Sequence, residues 1–138
     1  NLGSELYKRS RSPVASSVTA LARSRLPAEL WNRIDEVLCY APLGERELRQ
    51  IIARIATSSS GRLEAERGIS FRIDESVIDH VLRSEPDRSL GARPLRRAFE
   101  RFVEGPIATE IVEGRLRAGT RLHLHCDGRG ELVMALDR

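Results

Sequence analysis

From residue 45 onward the apolar positions of this chain change period several times, and each change marks an element. Leu48, Ile51, Ile52 and Ile55 share one face at helical spacing over residues 45–57, and Glu45 and Glu47 stand where the positive start of a helix favours acid. The run Thr57-Ser58-Ser59-Ser60-Gly61 opposes helix by propensity, but good helix formers resume from Arg62 to Arg67. One long helix, bent or frayed at its middle, is therefore predicted to stop at Gly68. Ile69, Phe71 and Ile73 alternate with Ser70 and Arg72, the period of a half-buried strand. Asp74 then offers a carboxylate N-cap to a helix carrying Val77, Ile78, Val81 and Leu82, closed by Pro86. Pro94 opens the next helix, with Leu95, Phe99, Phe102 and Val103 as its inner stripe and Arg93, Arg97 and Arg101 on another face. Gly105-Pro106 should kink or split it before Ile107, Ile111 and Val112, and Gly114 ends it. Leu122 and Leu124 alternate with His123 and His125 before a turn at Asp127-Gly128-Arg129-Gly130, which predicts a hairpin with a return strand at residues 131–136.

Ahead of Pro42 the pattern is thinner. Residues 8–25 are rich in Arg and Ser around Val14, Val18 and Leu21, which reads as a loop followed by a short helix. Leu30, Trp31, Ile34, Val37 and Leu38 follow at helical spacing, passing into a short strand-like piece at residues 36–40. The order after Pro42 predicts an α/β unit of three to four helices packed on a small three-stranded sheet. Its expected core is Ile51, Ile55, Phe71, Val81, Phe99, Phe102, Leu122 and Val133.

Composition narrows the chemistry. With 138 residues and 41% hydrophobic content the chain can bury a core, and no apolar run approaches a membrane span. Lys8 is the only lysine, and it stands before Arg9 and Ser10 with no glycines in register, so the phosphate-gripping loop G-x-x-x-x-G-K-[ST] is absent from this sequence. Cys39 and Cys126 are too few and too far apart for a disulfide framework or a metal knuckle. His123 and His125 would share a strand face with Cys126 opposite; with no fourth donor nearby no metal site is expected.

Two motifs carry arginines suited to phosphate, Asn32-Arg33-Ile34-Asp35 and Gly91-Ala92-Arg93-Pro94-Leu95-Arg96-Arg97. They stand among further landmarks in a fixed order: Leu30 to Val37, then Ala41-Pro42-Leu43, Glu66-Arg67-Gly68-Ile69, the second arginine motif, and Gly105-Pro106-Ile107-Ala108. In this order the chain resembles the C-terminal end of Clp-type AAA+ ATPases, most closely the second ring of ClpB-like disaggregases and unfoldases. The start Asn1-Leu2-Gly3-Ser4 is similar to the family's stretch around its sensor-1 asparagine.

The resemblance implies that residues 1–40 are the C-terminal remnant of the large nucleotide-binding subdomain and residues 41–138 the complete AAA+ small (C-terminal) subdomain. It implies that Arg33 is an arginine finger reaching in trans to the γ-phosphate of a neighbour's ATP. Arg93 would be the sensor-2 arginine, touching nucleotide bound by its own subunit, and Asn1 the sensor-1 residue. The parent would be a hexameric cytoplasmic chaperone, using ATP and Mg2+ on unfolded or aggregated protein. This stretch alone, lacking both Walker motifs, would be non-catalytic and is expected to hold neither ATP nor Mg2+.

Where the family has Pro-Glu-Phe, this chain has Leu26-Pro27-Ala28-Glu29-Leu30-Trp31, and Ser84-Glu85-Pro86-Asp87 replaces a Gly-Tyr-Asp. A subunit of an ATP-dependent protease or of a secretion system therefore stays open beside the disaggregase. Ordinary surface roles stay open too, with Arg33 paired to Asp35 or Glu36 and Arg96 and Arg97 paired to Glu100. A module that only assembles rings is a further alternative. Binding of nucleic acid by the arginine stripe is disfavoured, because Glu100 and Glu104 interrupt the helix and 4% aromatic content supplies no stacking array.

Overall fold

The computed structural model describes residues 15–40, 43–85 and 92–137. The chain divides into two units, Asn1–Pro42 and Leu43–Arg138. In the first unit α1 (Ala15–Arg25) is followed by the short α2 (Ala28–Trp31). The guanidinium of Arg23 lies 5.9 Å from the centre of the Trp31 ring, and Thr19 Oγ1 and Cys39 Sγ are 3.5 Å apart. None of the described side chains in this unit is fully buried. The strand expected at residues 36–40 does not form: the segment has no regular structure and is exposed, Tyr40 to 85%. A strand persists only where a neighbour takes up its backbone groups, and the described residues of this unit include no other strand.

The second unit opens with α3 (Glu45–Arg67), one continuous helix of 23 residues. It crosses the serine run without a break because two of those serines face inward. Ser59 and Ser60 are buried, and Ser60 Oγ accepts a hydrogen bond from the backbone N–H of Phe71 at 2.8 Å. Thr57 Oγ1 donates to the carbonyl of Ala53 one turn back, a bond that keeps its hydroxyl satisfied within the helix. Gly68 ends the helix at φ +68°, where a side chain would be strained.

β1 (Ser70–Ile73) pairs in parallel with β2 (Arg121–Cys126), and β2 pairs antiparallel with β3 (Leu132–Leu136), giving sheet order β1-β2-β3. A parallel pair needs a long crossover. Here it is supplied by α4 (Glu75–Ser84) and by a helical run made of α5 (Arg93–Phe99), a π-helical turn (Glu100–Glu104) and α6 (Gly105–Val112). Asp74 caps α4 as its position predicts, accepting from the backbone N–H of Ser76 at 2.9 Å. Ser76 Oγ donates to the same carboxylate and accepts from the N–H of Cys126 at 2.8 Å, tying the helix start to β2.

Gly105-Pro106 does not split the helical run. The N–H of Gly105 reaches back five residues to the carbonyl of Glu100. Widening the turn in this way accommodates a proline that has no N–H and whose ring would crowd the carbonyl of Phe102.

The helices cover one face of the sheet, and the core forms between them from Ile52, Val77, Val81, Phe99, Val103, Leu122 and Leu124, all nearly inaccessible. Two expected core positions are displaced by one residue. The buried stripe of α3 is Leu48, Ile52 and Ala56, so Ile52 rather than Ile51 enters the core and Ile51 is half-buried at its margin. In β3, Leu132 and Met134 pack on the core, while Val133 pairs with His125 on the opposite face. Ile55 and Phe102 are half-buried against the core.

Candidate functional site

The second arginine motif is positioned by the apolar side of α5. Leu95, Ala98 and Phe99 are buried, which fixes the rotation of the helix and turns Arg93 and Arg97 outward. Pro94 lies at the helix start, where its fixed φ suits the first turn and its missing N–H leaves no bond unmade.

The arginines of this run differ in their partners. Arg96 is half-buried, donating through Nε to Glu100 at 2.8 Å and through Nη2 to Glu104 at 3.4 Å. Donating to the Glu100 carboxylate strengthens the guanidinium's hold on its proton. Arg101 donates to Glu85 at 3.0 Å. Arg93 and Arg97 are exposed and, among the described residues, have neither an ion pair nor a side-chain hydrogen bond. Two like charges four residues apart repel slightly, so this pair does nothing for the helix that carries it. It is charge available to something else.

Arg33 lies in the turn after α2, where its backbone N–H donates to the carbonyl of Leu30 at 3.1 Å. Its side chain is exposed, and among the described residues it pairs with neither Asp35 nor Glu36. Arg33 belongs to the first unit and Arg93 to the second. Asn1 lies outside the described residues, as do Pro42, Pro86 and Gly91.

The two sheet histidines share the outward face, with ring centres 5.8 Å apart, and Cys126 points to the core side, where burial pushes its thiol up from the ordinary value. Among the described residues no group of three or more His, Cys, Asp or Glu is placed to hold a metal ion. His80 is half-buried and stacks on Phe102 at 3.7 Å between ring centres. A groove of about 190 Å³ runs between α3 and α6, lined by Leu63, Phe71, Ile107 and Ile111 with Arg62 and Glu66 at its rim. No arginine of the Gly91–Arg97 motif lines it.

Sequence reasoning placed Arg93, Arg97 and Arg101 in one stripe. The structure removes Arg101 from it, through a carboxylate 16 positions upstream that no helical spacing could reveal. It also missed the hub at Arg49, whose guanidinium meets Glu45 at 3.4 Å and Glu75 at 3.0 Å and also pairs with Asp79. Only the Glu45 contact follows from four-residue spacing along the helix. The hub joins α3 to α4 and serves the fold.

Residues 43–124, which include the second arginine motif, match the family described as the C-terminal, D2-small domain of ClpB protein. The chain is 37% identical over 109 residues to the chaperone protein ClpB 2 of Parasynechococcus marenigrum, covering 79% of this chain and 12% of that one. It is 30% identical over 134 residues to the chaperone protein ClpB of Rhodopirellula baltica, covering 93% of this chain and 15% of the relative. The chloroplastic chaperone protein ClpC4 of Oryza sativa is 31% identical over 121 residues, covering 88% and 13%. The chain thus spans well under a fifth of the length of these relatives.

Proposed function

The chain belongs to the family of the C-terminal, D2-small domain of ClpB protein, and from that premise we propose that it is a working part of an ATP-driven, ring-forming chaperone that remodels unfolded or aggregated protein. The observation that carries this reading is Arg93: an exposed guanidinium on a helix anchored by buried Leu95 and Phe99, with no carboxylate partner among the described residues. In this reading Arg93 contacts the phosphates of nucleotide held by its own subunit. Its contact differs between ATP and the hydrolysed state, so the two nucleotides favour different placements of the small domain.

Arg33 reaches the γ-phosphate of ATP on the neighbouring subunit, offsetting negative charge on the transferred group. Its exposure and its lack of an ion pair among the described residues suit that role. Asn1 would orient the attacking water as the sensor-1 residue. The residues present fit a phosphate but not the whole of Mg2+-ATP. Free arginines answer the charge of the phosphates, whereas the described carboxylates form no cluster for the cation, and the phosphate loop and Mg2+ ligands belong to the remainder of the protein.

A cytoplasmic, six-membered ring is the setting proposed. Among the described residues no helix is long and apolar enough to cross a membrane. The protease-linked and secretion-linked unfoldases use the same arginine chemistry and stand as the second reading, favoured by the likeness to a ClpC as well as to ClpB proteins.

The test is Arg33→Ala and Arg93→Ala, separately, in the full-length protein. Loss of the finger should slow ATP turnover by roughly a thousandfold, with the ring still assembled by sedimentation. Unchanged turnover in both variants would leave only a ring-assembly role.

A further inference from the structure

We infer that Arg97 is a second arginine for the nucleoside polyphosphate assigned to Arg93, so that the two guanidinium groups, one helical turn apart, act as a fork on its phosphates. This rests on the reading of Arg93 above and adds a residue and a ligand class to it.

Of the four arginines between residues 93 and 101, two are neutralised within the unit: Arg96 by Glu100 and Glu104, and Arg101 by Glu85. The carboxylates nearest to Arg97 along the helix are thus already engaged by other arginines. Arg97 sits one turn from Arg93, both are exposed, and neither has a partner among the described residues. Burial of Leu95, Ala98 and Phe99 holds both on the solvent side, so the pair is fixed in orientation by the core.

A like-charged pair without counter-charge costs the isolated helix a little and is stabilised by a ligand bearing adjacent negative groups. A polyphosphate chain has that character. An extended nucleic-acid strand would call for a longer free stripe, and the pairing of Arg101 with Glu85 cuts the stripe to two.

The experiment is equilibrium binding of a fluorescent ATP analogue to the full-length protein, comparing Arg97→Ala, Arg97→Lys, Arg93→Ala and Arg101→Ala. Loss of a charge-assisted hydrogen bond to phosphate predicts that Arg97→Ala weakens binding roughly tenfold or more. Arg97→Lys should recover part of this, because charge is kept and the fork is lost, and Arg101→Ala should stay within about twofold of wild type, as expected of an exposed ion pair. Circular dichroism and ring assembly of each variant establish that folding is intact.

If Arg93→Ala weakens binding and Arg97→Ala does not, the inference is wrong and the assignment of Arg93 survives. If neither changes binding, both fail. Binding of a single-stranded oligonucleotide that competes with ATP and is lost in Arg97→Ala would assign the pair to nucleic acid and overturn the inference.

Discussion

Ser60 Oγ accepts the backbone N–H of Phe71 at 2.8 Å in the interior of the second unit, so a serine in mid-helix caps the first strand of the sheet. The parallel neighbour β2 lies on one side of β1 only, and Phe71, being buried, cannot turn its N–H to water. The serine supplies what a further strand would have supplied. Ser60→Ala removes the acceptor and leaves a buried donor unmatched, which should cost about 1–3 kcal/mol. The measurement is the urea midpoint of this chain. Ser58→Ala, at an exposed position of the same run, is the control and should change stability by less than about 0.5 kcal/mol.

The register of β3 makes a second prediction. Met134 packs on the core and Val133 lies on the outward face beside His125. Met134→Ala should therefore destabilise by about 2 kcal/mol, and Val133→Ala by less than about 1 kcal/mol. The reverse order in thermal or denaturant unfolding would mean that the strand is shifted by one residue.

Those two displacements show where sequence pattern runs out. In β3 every position from Leu132 to Leu136 is apolar, so a period of two has no polar residues to mark the outward face, and Val133 could be assigned to either side. Ile51 and Ile52 pose the same problem on α3, where adjacent apolar residues straddle the edge of one stripe. The unit from residue 43 was otherwise legible, because it carries its own core and each element has a cap or stop in sequence: Asp74 at the start of α4, Gly68 at the end of α3. Residues 36–40 were misread as a strand because Val37, Leu38, Cys39 and Tyr40 form an apolar run, while strand formation depends on a partner that local sequence cannot supply. At the candidate site, the pairing of Arg96 with Glu100 follows from spacing, whereas the capture of Arg101 by Glu85 depends on tertiary packing and so does the isolation of Arg97.

Acid should unfold the chain in a way traceable to particular carboxylates. The side-chain hydrogen bond from Arg72 holds Asp137 below its ordinary value of 3.8, and that from Ser76 does the same for Asp74. Backbone N–H groups of Glu131 and Arg129 depress Asp127, and Arg115 depresses Glu110 from 4.5. In each case the folded state binds its proton less readily than the unfolded chain does. The stabilisation is therefore complete above the ordinary values and is lost as pH falls through the lower folded ones. Urea midpoints should be flat from about pH 7 to 5.5 and fall below about pH 5. Asp74→Asn and Asp137→Asn should each flatten that fall, and a variant that loses stability equally at all pH values would show that its carboxylate is not the titrating group.

The cis and trans assignments of the two arginines can be separated by mixing subunits. In the proposed ring a complete site needs the phosphate loop and Arg93 from one subunit and Arg33 from the next. Take a subunit with its phosphate-loop lysine replaced and combine it with an Arg33→Ala subunit; each is inactive in a uniform ring. Where the two alternate in the right order, an intact phosphate loop meets an intact Arg33, and ATP turnover should return to a fraction of the wild-type rate. Combine the lysine variant instead with Arg93→Ala, and no order of subunits puts an intact loop and an intact Arg93 in the same chain. Turnover should then stay at the level of the separate variants. Recovery in both mixtures would place Arg93 in trans, and recovery in neither would remove Arg33 from the neighbour's site, so steady-state ATP hydrolysis of the two mixtures decides both roles independently.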